Sequence, residues 1–247
     1  MSALRAQIDV VADAAAAVPL LLDEVRGALV PGQRPLLGFA TGATFAPFLA
    51  ALGAAMARGE LGEFTATHLD EYEGFAPGQR GGMVAELCRT CPPFLAMLQR
   101  GAFLPVPGDG EPRALGAHVE RLRDGGGVAL WFLGIGRNGH VAFNEPGTPF
   151  EVGFHTATLA AATRDDARAR FAPDEPPRRA VTAGPATILA ARRAVLCAFG
   201  AAKAPAVRAA LHGPVTPSCP ASVLQRHPNL RVVLDRAAAG ELGREAP

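Results

Sequence analysis

Lysine is almost missing from this chain: among 24 basic residues there is one, Lys203. Tyrosine (Tyr72) and tryptophan (Trp131) also occur once each, and asparagine three times. Serine is confined to Ser2, Ser218 and Ser222 with no Gly-x-Ser-x-Gly, which argues against serine hydrolysis. An excess of charge of either sign is lacking too. A net charge of +1 offers no electrostatic footprint for nucleic acid or an anionic membrane. No apolar run reaches the roughly 18 residues that cross a bilayer. Met1–Val18 is alanine-rich but carries Asp9 and Asp13 and has no charged-then-apolar signal pattern. Cytoplasmic residence is the expectation. The four cysteines fit it, since Cys88-Arg-Thr-Cys91 is a lone C-x-x-C inside a helical pattern, with no second pair spaced for zinc. No metal site is expected.

What is abundant is Ala, Gly, Pro and Arg, the drift of a GC-rich genome. A bias that turns nearly every lysine into arginine spares one where arginine cannot substitute. Arginine is a wide planar fork and lysine a compact point charge, so a bound anion is such a place. Survival by chance is the competing explanation for Lys203.

The 247 residues, 49% of them hydrophobic, can bury a full core. Strand-like runs fall at Leu36–Ala40, Phe64–Leu69, Val128–Leu133, Ala180–Ala183, Ala194–Gly200 and Leu230–Leu234. Between them lie helical patterns at Phe45–Arg58, Val84–Gln99, Ala114–Arg123, Pro185–Arg192, Ala204–His212, Pro220–Gln225 and Ala237–Leu242. This alternation predicts an α/β fold, a mostly parallel sheet with helices on both faces. With no repeat and no linker, one Rossmann-like domain over residues 1–247 is expected. The Pro/Gly/Arg-rich stretches Ala76–Gly82 and Phe171–Arg179 are candidate mobile lids, and Gly243–Pro247 is expected to fray.

Three loops at strand ends carry candidate chemistry. The first follows Val128–Leu133, whose unbroken apolar run suits a strand buried on both faces. The glycine-rich turn after it delivers Asn138, His140, Asn144 and Glu145 within eight residues. Gly134-Ile-Gly-Arg-Asn-Gly139 fits G-x-G-x-x-G, but Asn144-Glu-Pro-Gly147 breaks any helix that a dinucleotide fingerprint needs. In the second, Thr41-Gly-Ala-Thr44 opens a helix, making either a phosphate cradle or an ordinary N-cap. In the third, His68-Leu-Asp-Glu-Tyr72 ends a strand with two adjacent carboxylates. Consecutive strand residues face opposite sides, so only one of Asp70 and Glu71 is a candidate base.

Residues 37–44 (Leu-Gly-Phe-Ala-Thr-Gly-Ala-Thr), 69–72 (Leu-Asp-Glu-Tyr), 134–147 and 220–229 resemble the glucosamine-6-phosphate deaminase family, in order and over nearly the whole chain. The related 6-phosphogluconolactonases share the Gly-x-Gly-x-x-Gly-His core but not the Phe-Asn-Glu-Pro that follows it here. The resemblance implies a cofactor-free enzyme that converts glucosamine 6-phosphate and water to fructose 6-phosphate and ammonia. It implies Asp70 as the enolisation base and His140 as the ring-opening group, assisted by Asn138 and Glu145. Phosphate contacts would fall on Thr41, Gly42, Ala43 and Thr44, on Lys203, and on Arg170 with Arg168 as its competitor, because residues 164–170 hold one extra residue. The pH profile's acid limb would then report His140 with Glu145.

Departures qualify the match. Asn138 stands where many members have aspartate, residues 73–82 lack the family's His-Pro and Ser-Tyr pattern, and His155 and Ala157 replace basic residues of an allosteric site. A deaminase of another hexosamine phosphate, such as galactosamine 6-phosphate, is the alternative enzyme. A non-catalytic sugar-phosphate-binding regulator is the alternative of another class. The only expected partner is the small amino-sugar phosphate, and the short C-terminus suggests a monomer or small homo-oligomer.

Overall fold

A computed structural model describes residues 6–243, so the expected fraying of Gly243–Pro247 lies almost wholly outside the described residues. The chain opens with β1 (Ala6–Val11), α1 (Val18–Ala28), β2 (Leu36–Phe39), α2 (Ala46–Ala57) and β3 (Thr65–His68). β4 (Asp70–Tyr72), α3 (Met83–Thr90), α4 (Pro93–Gln99), β5 (Phe103–Leu104), α5 (Pro112–Asp124) and β6 (Val128–Gly134) follow. The remainder is β7 (His155–Thr158), α6 (Ala161–Phe171), β8 (Arg179–Thr182), α7 (Pro185–Leu189), β9 (Ala194–Ala198), α8 (Ala204–His212) and β10 (Leu230–Asp235).

Seven strands form one sheet in the order β1-β10-β9-β6-β2-β3-β5, with every pairing parallel. The unbroken apolar runs follow from this. Along β6, Leu130 and Phe132 enter a core with Phe39, Phe48 and Phe94, while Trp131 and Leu133 enter another with Leu196, Val232 and Leu234. A strand that feeds a core on each face cannot alternate with polar residues. The α/β class and the helix-covered parallel sheet agree with expectation.

Several elements differ. Ala180–Ala183 is extended as expected, but β8 belongs to a separate antiparallel sheet, β4-β8-β7. The pattern at Val84–Gln99 is two helices, α3 and α4, because Pro92 and Pro93 force a break after Cys91. Pro220–Arg226 is a 3₁₀ helix and residues 237–242 are turns. β1, α1 and α6 add elements that the apolar pattern did not mark.

One feature of the topology positions the site. After β2 the chain moves to β3 on one side, and after β6 it moves towards β9 on the other. The carboxyl ends of the neighbouring strands β2 and β6 therefore diverge into loops that leave a crevice, the place where open α/β sheets bind ligands.

Candidate active site

A cavity of about 480 Å³ opens at that switch point, lined by Thr41–Thr44 after β2, Asp70 on β4, His140 after β6, Arg170 on α6, and Lys203. Asp70 reaches it because the chain leaves the large sheet after His68. Leu69 accepts the Ala183 N–H (2.7 Å), and Asp70 starts the antiparallel pairing opposite Thr182. Burial, reinforced by the neighbouring Glu71 carboxylate and opposed by Arg170, pushes the Asp70 carboxyl up to about 8. Glu71 points the other way, as the strand period requires. It is buried and accepts the N–H groups of Tyr72 and Met83 (2.9 Å each) and Val84 (3.1 Å). A carboxylate on the first N–H groups of α3 is a structural cap, favoured by the helix dipole.

The loop after β6 is a tight hairpin. Gly136 donates to the His140 carbonyl (2.9 Å) and Gly139 donates back to Gly136 (3.0 Å), with Gly139 at φ +82°. A Cβ on Gly136 would stand 2.2 Å from the His140 ring, so glycine is required for the ring to lie against the loop. The His140 Nδ1 is 3.7 Å from the Glu145 carboxylate and 3.4 Å from the Thr163 hydroxyl. Glu145 is held in turn by Asn138 Nδ2 (2.7 Å) and the Ala160 N–H (3.1 Å). Asn138 reaches the histidine only through its backbone N–H (3.2 Å), so any influence on the ring passes through Glu145. Burial lowers the His140 pKa, Glu145 and Asp166 oppose that, and Lys203 adds to it. Asn144 does not enter the cavity. It is fully buried and ties Val141 and Ala183 together through two 2.8 Å bonds from Nδ2.

At the cavity's other end, Gly42 at φ +92° begins the turn into α2 and donates its N–H to Glu86 (2.9 Å). Arg170 faces the same carboxylate at 2.7 Å, whereas Arg168 pairs with Asp165 on the exposed side of α6 and is absent from the lining. Lys203 is half-buried and donates to the Ile135 carbonyl (2.8 Å), which puts its ammonium beside the glycine loop. Burial lowers its pKa, Asp166 opposes that, and Arg137 reinforces it. Thr163, Asp166, Met83 and Glu86 line or brace this cavity without having been marked in the sequence. Thr163 and Asp166 sit on α6 and Met83 and Glu86 on α3, and only the fold brings these helices to the cavity. Cys88 and Cys91 lie on α3 and at its end, and no group of three metal-binding side chains occurs among the described residues.

Residues 96–233 match the family model described as glucosamine-6-phosphate isomerases/6-phosphogluconolactonase. The chain belongs to this family. A glucosamine-6-phosphate deaminase of Cutibacterium acnes is 35% identical over 96% of this chain and 92% of its own length. One of Hahella chejuensis is 37% identical over 84% and 80%. Among solved structures, a monomeric glucosamine-6-phosphate deaminase superposes with a TM-score of 0.77 at 30% identity, covering 95% of this chain and 99% of that one. A 6-phosphogluconolactonase of Trypanosoma brucei reaches a TM-score of 0.76 at 18% identity, a likeness of fold alone. Both branches of the family thus share this architecture, and the greater sequence identity lies with the deaminases.

Proposed function

We propose that this protein is an amino-sugar-phosphate deaminase that converts glucosamine 6-phosphate and water to fructose 6-phosphate and ammonia. The observation that carries the reading is one cavity lined by a carboxyl of raised pKa, a carboxylate-backed histidine, a guanidinium, an ammonium and the backbone of the turn into α2. The deaminase relatives at 35–38% identity support the same reaction.

In this mechanism the phosphate rests on Thr41–Thr44, Arg170 and Lys203. His140 takes the proton of the anomeric hydroxyl and gives it to the ring oxygen, opening the sugar, while Glu145 stabilises the transient imidazolium. Asp70 then removes the C2 proton, forming an enolamine, and returns it to C1, leaving an imine at C2. Water adds to the imine and ammonia departs. Each proton transfer contributes roughly 10²–10⁴-fold, so the two groups act in series. Binding of the substrate's ammonium next to Asp70 favours the carboxylate that the second step needs.

We take the enzyme to be cytoplasmic and a monomer or small homo-oligomer. The monomeric relative supports the latter, and light scattering tests it. No helix among the described residues is long and apolar enough to cross a membrane. The decisive experiment is ammonia release across a panel of hexosamine 6-phosphates. Turnover of glucosamine 6-phosphate ahead of the galactosamine isomer is expected. Preference for the isomer would reassign the substrate, and no ammonia from any would leave a binding protein.

A further inference from the structure

Met83 and Glu86, three residues apart on one face of α3, together hold four contacts from the groups assigned above to phosphate. The Glu86 carboxylate accepts the Gly42 N–H at Oε1 (2.9 Å) and faces Arg170 Nη2 with Oε2 (2.7 Å). The Met83 thioether accepts the Thr41 hydroxyl (3.1 Å) and Arg170 Nη1 (3.3 Å). A backbone amide, a hydroxyl and a guanidinium are the donor set that a phosphoryl group takes at a helix start. A thioether is a weak acceptor that yields its donors easily. A carboxylate is a strong one, and it is an anion where an anion is to bind. The Glu86 and Arg170 side chains are only 15% and 28% exposed, so solvent does little to screen the charge that an incoming phosphate meets.

We propose that Glu86 is an internal occupant of the phosphate cradle. It keeps Gly42 and Arg170 aligned while the site is empty, and it sets phosphate affinity by competing with the phosphoryl group for both. The substrate gains those donors by displacing Glu86 or by lying against its charge, and either course weakens binding. Because the product carries the same phosphate, the same competition speeds its release. This rests on the phosphate reading of the cradle and adds a specificity-setting residue to it.

Glu86→Gln keeps the shape and one oxygen acceptor while removing the charge. The Ki of inorganic phosphate against the amino-sugar phosphate is expected to fall about three- to tenfold, the scale of a partly screened ion pair. KM should fall with it, and more than kcat changes. A Ki that is unchanged or higher overturns the proposal. Glu86→Met, which removes the charge and keeps the side chain's length with a weak acceptor, is the second variant if glutamine prevents folding, with the same expected direction and the same overturning result. Arg170→Ala separates the two ideas, since it should raise the phosphate Ki at least about tenfold. If Arg170→Ala binds phosphate as the wild type does, the cradle itself falls. A weakened Arg170→Ala beside an unchanged Glu86→Gln overturns the role of Glu86 alone.

Discussion

At one end of the cavity, Glu145 is already bonded by Asn138 and Ala160 and stands 3.7 Å from the His140 ring. At the other end, Gly42 and Arg170 are bonded to Glu86, a residue of the protein itself. On the proposed mechanism His140 and Glu145 are in place before substrate arrives, and preorganised groups lower a barrier without reorganising, while Asp70 awaits the substrate's ammonium to become a carboxylate. The phosphate end must exchange partners. Changes at the reaction end should appear in kcat, and changes at the phosphate end in KM.

The largest effect is expected for Asp70→Asn, a loss of about 10³–10⁴-fold in kcat/KM carried almost wholly by kcat. Solvent deuterium should no longer enter the product carbon. In the wild type, kcat/KM should rise with pH through about 8, where the Asp70 carboxyl ionises. This moves the acid limb away from His140 and Glu145, because burial raises the one pKa and lowers the other. The same burial costs stability. A carboxyl whose pKa climbs from 3.8 to about 8 on folding penalises the native state above pH 3.8, and the penalty grows up to about pH 8. Asp70→Asn should accordingly be more stable than the wild type at pH 9, by at least about 1 kcal/mol after allowing for water in the cavity. Near pH 4 it should be indistinguishable, and urea titrations at the two pH values check this. A variant that kept turnover, or a KM that rose as far as kcat fell, would dissolve the division.

His140→Gln should cost about 10²-fold, a little less than loss of the base, because the sugar also opens spontaneously. Glutamine can fill the hydrogen-bonding positions but cannot carry the proton near neutral pH. A 2-amino-2-deoxyhexitol 6-phosphate, being open-chain, should bind the variant and the wild type alike. Weaker binding of that analogue would show that His140 holds the substrate instead of opening it.

Lys203→Arg tests the phosphate end and should raise KM about tenfold with a smaller change in kcat. The ammonium fits between the Ile135 carbonyl, 2.8 Å away, and the cavity. A longer planar fork must leave that carbonyl or intrude on the phosphate space. Wild-type kinetics in this variant would mean that the lone lysine survived by chance.

Legibility in the sequence follows the same physics. The runs at Leu36–Ala40 and Val128–Leu133 announced central strands because both of their faces are buried. The glycine turn announced His140 because backbone geometry, which local sequence controls, delivers it. The small sheet was hidden. Ala180–Ala183 and the end of His68–Tyr72 read as extended, but His-Thr-Ala-Thr did not, and nothing local tells that these short segments pair with one another instead of joining the large sheet. β1 was hidden for another reason, since as an edge strand it leaves Ile8 and Val10 exposed beside polar neighbours. The phosphate end was half legible: Thr41–Thr44 and Lys203 stood out, while Glu86 and Met83 lie 42–44 residues from Thr41 and Gly42. Contacts at such separations are products of the fold and have no local signature.

The smallest effect is expected for Asn138→Asp, which probes how the two halves of the reaction end communicate. Asn138 donates to Glu145 at 2.7 Å and accepts the backbone N–H of His140 at 3.2 Å, a contact to the main chain and not to the ring. Aspartate there removes the donor and sets two carboxylates against each other. With both ionised, the second negative charge favours the imidazolium beside it and raises the apparent pKa of the group as a unit. The His140 ring protons, followed by NMR across pH, should titrate about one unit higher than in the wild type, with KM nearly unchanged. An unmoved titration would mean that Glu145 does not transmit charge to the ring over 3.7 Å. The reaction end would then be held together by its backbone loop alone, and the contrast with the exchangeable phosphate end would lose its electrostatic half.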